Sequence, residues 1–351
     1  MIDLNDPSRF GQIDPTGYLE AVETFPDQLR EAFRRGVQAE GLPSSLDVVS
    51  IAVLGMGGSG ISGDVCRVVL GSRLPLVVGT VKGYELPGWV GPDTLVFAAS
   101  YSGETEETLA SFEEALRRGS RVVIVASGGA LAERGRAGGV PIIEIPRGLQ
   151  PRAALGYLAL PMLVVCERLG LAPGLEDEIS ETVELMDERA EQFGRHTPTE
   201  KNPAKSLALR LVGKLPLVYG SEGLAEVAAY RWKCQFNETS KVGSYWNVFS
   251  ELDHNEVVGW GRLPEITRNF ALLVLRHAGE HPRIGRRIEV TLPLIGDALA
   301  WVDQFEAKGT SPLARLCDLF YLGDFASTYL ALAQGIDPAP VEVITKLKQS
   351  L

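Results

Sequence analysis

"DTLVFAASYSGETEETLASFEEALRRG", residues 93–119, decides how the rest of the chain is read. Its opening, "DTLVFAA", is an apolar run of strand length, and "ETEETLASFEEALRRG" has the acidic start and basic end of a helix. Between them stand three hydroxyl side chains, Ser100, Ser102 and Thr105, and one glycine, Gly103. A buried strand passing directly into a helix is the repeating step of an α/β fold. Hydroxyls at that junction either cap the helix backbone or hold an anion against its N-terminus.

The same alternation extends outward. "LDVVSIAVLG" (46–55) leads into a glycine-rich turn, and "RLPLVVGT" (73–80), "RVVIVASG" (121–128) and "VPIIEIP" (140–146) are further short runs rich in Val and Ile. Separated by helical segments, they predict parallel strands in a doubly wound sheet. A helical region over 17–40 precedes them, and a helical stretch over 152–196 closes this half. The pattern then restarts with "KLPLVYGSEGL" (214–224) and the helix-like "AEVAAYRWKCQFNE" (225–238). "NFALLVLRHAG" (269–279) and "RRIEVTLPLIG" (286–296) are expected to add two strands, and "SPLARLCDLFYLGDFASTYLALAQG" (311–335) a long buried helix. The polar "HTPTEKNPAK" (196–205) carries two prolines and marks the boundary. The expected fold is α/β with two doubly wound domains, 1–195 and 196–351, each a mainly parallel sheet flanked by helices.

A chain of 351 residues is long for one core and comfortable for two. Its net charge of −11 argues against nucleic acid or an anionic membrane as partner, and requires any anionic substrate to be held locally. Cys66, Cys166, Cys234 and Cys317 are scattered without disulfide or zinc spacing, as in a reduced compartment. "MIDLNDPSRF" lacks the regions of a signal peptide, and the longest apolar stretch, 153–166, falls short of the ~20 residues that span a bilayer. A cytoplasmic protein is expected.

Four other segments carry candidate chemistry. "GMGGSGISGD" (55–64) holds a G-x-G-x-x-G match at Gly55, Gly57 and Gly60, yet the acid that should bind a ribose after the second strand is missing; the next is Glu85. The turn could equally be close helix–strand packing, or let Ser59 and exposed amides approach a sugar or phosphate. "GLQPRAALGY" (148–157) places Arg152 at the start of an apolar helix, against the dipole. A surface ion pair and a cation beside a reacting oxygen are both open. "CQFNETSK" (234–241) puts Glu238 at a helix end, and "NVFSELDHNE" (247–256) puts His254 in a loop, flanked by acids. No spacing resembles a metal site.

In this order and spacing, "GMGGSGISGD", "SYSGETEET", "PRAALGY", "NETSK" and "ELDHNE" resemble the bifunctional phosphoglucose/phosphomannose isomerase family, whose chains carry two sugar isomerase (SIS) domains. The resemblance runs from about residue 50 to the C-terminus. "SYSGxT" marks SIS domains generally, non-catalytic regulators included; Arg152, Glu238 and His254 together are more specific. The resemblance implies that Gly58 and Ser59 line the sugar site and that Ser100, Ser102 and Thr105 bind the substrate phosphate. It implies Glu238 as the base moving a proton between C1 and C2. It gives ring opening to His254, reaching in from the partner of a homodimer, and places Arg152 against the enediolate. The family's C-terminal lysine matches Lys348, with Lys346 as rival. A threonine linked to dual glucose/mannose specificity has no counterpart, since Ala339, Pro340 and Val341 stand there.

This chemistry is self-consistent. One carboxylate can serve as base and then acid through a cis-enediolate, an arginine stays ionised beside the oxyanion, and a histidine gives and takes protons near neutrality. The expected activity is isomerisation of glucose 6-phosphate, and of mannose 6-phosphate, to fructose 6-phosphate, with neither metal nor nicotinamide required. A sugar-phosphate-binding SIS regulator is the alternative, though it has no use for Glu238 and His254 together.

Overall fold

Uninterrupted runs of Val, Ile and Ala are stable as strands only where both sheet faces are covered. In the computed structural model, which describes residues 2–71 and 73–350, the runs at 50–54, 94–100 and 122–126 meet that condition. The chain divides into two compact units, one of residues 24–185 and 311–314, the other of 1–23, 186–310 and 315–351.

In the first unit, β1 (Ser50–Leu54), β2 (Val77–Val81), β3 (Thr94–Ser100), β4 (Arg121–Ala126) and β5 (Ile142–Glu144) form a parallel sheet in the order β2-β1-β3-β4-β5. β1 and β3 are buried at every position, with Leu54 level with Ala98. Its helices are α1 (Phe25–Gln38), α2 (Gly57–Leu70), α3 (Glu106–Arg117), α4 (Gly129–Ala137) and α5 (Leu155–Arg168), followed by α6 (Leu175–Phe193). The apolar stretch at 153–166 is the buried face of α5, as its length required. Leu54, Val96, Ala98, Phe112 and Ile124 form the core on one side of the sheet.

The second unit repeats the plan with β6 (Leu215–Ser221), β7 (Tyr245–Phe249), β8 (Phe270–Arg276) and β9 (Trp301–Glu306), all parallel, in the order β7-β6-β8-β9. Its longer helices are α7 (Pro203–Leu211), α8 (Leu224–Glu238), α9 (Pro282–Ile295), α10 (Pro312–Ala333) and α11 (Glu342–Gln349). Residues 1–23 group with this unit. The Tyr18 hydroxyl lies 3.2 Å from that of Thr239, Arg195 Nε donates to Glu23 Oε2 at 2.8 Å, and the Tyr321 hydroxyl donates to the Glu23 carbonyl at 2.9 Å.

One expectation fails here. Residues 286–296 were expected to form a strand, but all except Gly296 lie in α9. The β-branched content of "RRIEVT" suggests a strand, yet the buried side chains Ile288, Thr291 and Ile295 fall at helical spacing, and Pro282 opens the helix at its first turn. The missing strands are β7 ("YWNVF") and β9 ("WVDQFE"), edge strands whose polar residues break the apolar pattern. His254, expected in a loop, ends a 3₁₀ turn at Glu251–His254. Among the described residues no helix is long and apolar enough to cross a membrane, and the four cysteines are free.

The loop between α6 and α7 is tied by a buried lysine. Lys205 Nζ donates to the carbonyls of Arg195 (2.7 Å) and Thr197 (2.9 Å) and lies 5.4 Å from the centre of the Tyr329 ring. Burial lowers its pKa to about 8, with Glu23 and Asp3 opposing the shift. The unfolded chain therefore holds more protons than the folded one between about pH 8 and the ordinary lysine value, so this group adds stability as pH rises through that window. Lys205→Met is expected to destabilise by about 1–3 kcal/mol, and urea denaturation should show the deficit growing from pH 8 to pH 10.

Candidate active site

In the order β2-β1-β3, the crossovers after β1 and β3 leave on opposite faces of the sheet, and a crevice opens beyond their carboxyl ends. Two turns border it: the glycine turn that enters α2, and "YSGET", which enters α3. They are joined directly, since the Tyr101 N–H donates to Ser59 Oγ at 3.2 Å. Ser59 and Ser100 are buried and Ser102 is exposed, so the group opens outward at Ser102.

The hydroxyls do not cap α3. Thr105 occupies the N-cap position without a side-chain cap bond, and its Oγ1 lies 3.0 Å from Ser100 Oγ. Ser100 Oγ accepts the Gly103 N–H at 3.1 Å and Ser102 Oγ accepts the Glu104 N–H at 3.2 Å. Hydroxyls thus line a helix N-terminus whose dipole favours negative charge, an arrangement suited to a tetrahedral anion.

Glycine is obligatory in this turn. Gly103 has φ +71°, and a Cβ there would lie 1.8 Å from the Gly128 carbonyl oxygen. Gly58 lets the other turn sit on the 3₁₀ turn Pro151–Ala153, since a Cβ at Gly58 would be 2.8 Å from the Pro151 oxygen and 3.3 Å from the Arg152 Cα. That contact brings Arg152 to the same crevice. The residue is 4% exposed, which removes the surface ion-pair reading.

Two contributors escape the sequence. The Tyr101 hydroxyl donates to the Pro146 carbonyl at 3.0 Å and accepts the Leu149 N–H at 2.8 Å, pinning the segment that leads to Arg152. Burial raises its pKa, which keeps the donating proton in place. Lys82 is the other: its Cε would lie 3.1 Å from a Cβ at Gly60, and its ammonium pairs with the Asp64 carboxylate. Lys82 lies in no motif, and Tyr101, though inside "SYSGxT", makes these bonds only through contacts across the fold.

The second unit has the corresponding crevice beyond β6 and β8, but its own carboxylate lies in it. Glu280 accepts from Ser221 Oγ at 3.1 Å and from Arg276 Nε at 2.7 Å. Glu238, the last residue of α8, lines a cleft of about 570 Å³ together with Asn237, Lys241 and Asp337. Its apolar wall comes from Pro340, Val341 and Ile344, so the departure at 339–341 borders Glu238's own cleft. Ala339 is buried and donates its N–H to Asp337 Oδ1 at 2.9 Å. Lys241 donates to the carbonyls of Glu238 and Pro338, closing the turn after α8 on the cleft wall.

His254 is exposed, and its imidazole has no hydrogen-bond partner among the described residues. Lys346 and Lys348 are both exposed on α11, about 200° apart around the helix. Lys348 follows Ile344 by four residues and so shares its side of the helix. Among the described residues no group of three or more His, Cys, Asp or Glu could hold a metal ion.

Residues 47–135 match the family described as SIS domain, and residues 200–351 match the bacterial phospho-glucose isomerase C-terminal SIS domain. The fold and this crevice therefore define a SIS-domain isomerase with two such domains. A bifunctional phosphoglucose/phosphomannose isomerase of Caldicellulosiruptor bescii is 40% identical over 95% of this chain and 98% of that protein. One from Aquifex aeolicus is 38% identical over 86% and 90%. The chain belongs to the bifunctional phosphoglucose/phosphomannose isomerase family, as its motifs indicated. A crystal structure of a glucose-6-phosphate isomerase like protein from Thermus thermophilus shares the fold, with a TM-score of 0.65 at 20% identity over 98% of this chain and 100% of that one.

Gly103→Ala is expected to cost at least ~3 kcal/mol, since it combines a strained backbone with a clash against a carbonyl. Calorimetry should show a lower transition temperature; an unchanged transition would mean that the turn has another low-energy form.

Proposed function

We propose that this enzyme interconverts glucose 6-phosphate and mannose 6-phosphate with fructose 6-phosphate through a cis-enediolate. The observation that carries the reading is the hydroxyl cradle of Ser100, Ser102 and Thr105, turned away from capping, in a chain of this family. The phosphate is a remote handle: hydroxyls and amides grip it and so fix the reacting carbons, with no lysine needed in the cradle. Gly58 and Ser59 border the sugar.

Glu238 removes the proton from C2 of the aldose and returns it to C1. Arg152 remains a cation at any working pH and stabilises the developing oxyanion. His254 opens the ring by moving a proton between the ring oxygen and the anomeric hydroxyl. Lys348, on the Ile344 side of α11, adds positive charge near the sugar. The working form is a cytoplasmic homodimer in which His254 serves the partner's site; an exposed imidazole without a partner of its own supports that reading. The apolar wall at Pro340 and Val341 supplies no side-chain hydroxyl, so any discrimination between the C2 epimers comes from shape.

Glu238→Gln should lower kcat at least ~100-fold for both aldoses while leaving substrate binding in place. A variant that keeps full turnover would exclude Glu238 as the base. Mixing Glu238→Gln with His254→Asn tests the shared site. Random reassortment of two inactive dimers should restore about a quarter of wild-type activity, because half the dimers then carry one intact site. No recovery would place His254 in its own chain's site.

A further inference from the structure

Loops that carry exposed side chains are ordinarily the least constrained parts of a fold. The segment around His254 departs from that. Leu252 is fully buried in the core of the second unit, so the chain is anchored two residues before the imidazole. Asp253, next along, accepts from Thr291 Oγ1 at 2.8 Å and from Arg287 at 3.2 Å, both on α9. Asn255 folds back on Glu251, donating to its carbonyl at 3.1 Å and its carboxylate at 2.9 Å.

Glu256 reaches the sheet. One of its carboxylate oxygens accepts from the Tyr219 hydroxyl on β6 and the other from Asn247 Nδ2 on β7. Trp260 Nε1 then donates to the Tyr219 hydroxyl at 3.1 Å, closing the network with the far end of the same segment. Tyr219 is fully buried, and burial together with the Glu256 carboxylate holds it protonated, so it is a permanent donor. The carboxylates of Asp253 and Glu256 therefore face α9 and the sheet, while His254 between them is exposed.

We propose that Glu256, seconded by Asp253, is a positioning residue for ring opening: by bonding Tyr219 and Asn247 it fixes the turn on which the His254 imidazole stands. The proposal rests on the reading of His254 as the ring-opening group. A side chain that must meet a substrate held elsewhere needs a rigid base, because the binding partner cannot correct its position. Misplacing a reacting group by about 1 Å can cost ~100-fold in rate. Proton transfer at C1 and C2 by Glu238 uses neither carboxylate and should not depend on them.

The two steps can be read separately. Fructose 6-phosphate must open before its C1 proton can be removed, whereas 5-deoxyfructose 6-phosphate lacks the hydroxyl that closes the furanose and is always acyclic. Glu256→Gln and Asn247→Ala, the second a milder cut of the same network, are compared with wild type and His254→Asn. The expected result is a loss of ~10-fold or more in kcat/KM for fructose 6-phosphate in both variants. Exchange of the C1 proton of the acyclic analogue with solvent should stay at the wild-type rate. Equal losses on both substrates, or none on either, would overturn the positioning role. The same selective loss in His254→Asn is required, and its absence would instead overturn the role given to His254. Wild type that fails to exchange the analogue would sink the enediolate reading itself.

Discussion

The hydrogen bond from the Tyr101 N–H to Ser59 Oγ joins two turns that the fold sends in opposite directions. It exists because the first strand in sequence lies inside the sheet, so that its crossover and that of β3 diverge and leave their carboxyl ends side by side. Everything polar in the first unit's crevice depends on that juxtaposition. Gly103 keeps one turn close against Gly128, Gly58 keeps the other against Arg152's turn, and Tyr101 ties the approach to Arg152 with its hydroxyl. The two turns have no contact in sequence and would drift independently on any other strand order.

The second unit has the same strand plan and uses it differently. Where the first has hydroxyls and a free helix N-terminus, the second has Glu280 bonded to Ser221 and Arg276. An internal carboxylate at such a place satisfies the donors that would otherwise attract an anion, so duplication of the fold does not duplicate the cradle. The second unit instead presents side chains at element ends: Glu238 at the end of α8, His254 at the end of a 3₁₀ turn, and Lys348 near the end of α11.

Much of this was legible in the residues. β1, β3 and β4 are continuous apolar runs, and buried parallel strands leave no other pattern. The hydroxyl cluster was legible because three hydroxyls exceed what one cap requires, and the glycine turn because strand and helix abut there. β7 and β9 were not, since Asn247, Asp303 and Gln304 interrupt the apolar pattern of these edge strands. α9 was mistaken for a strand because Ile288, Val290 and Thr291 favour strands by propensity, and only packing of Ile288 and Ile295 into the core decides for a helix. Burial of Arg152, the Tyr101 strut and the Glu256 anchor were out of reach, because each is a contact between segments far apart in the chain.

In the proposed mechanism one carboxylate moves a proton across C1 and C2 of a phosphate-anchored sugar. The most direct measurement follows glucose 6-phosphate deuterated at C2 through turnover in ordinary water, with NMR counting the deuterium at C1 of the fructose 6-phosphate formed. The account predicts that part of the label is carried to C1 and part is lost to solvent, on one face of C1 only, because the proton rests on Glu238 between the two carbons. Label on both faces of C1 would mean that no single carboxylate holds and delivers the proton, and would contradict it.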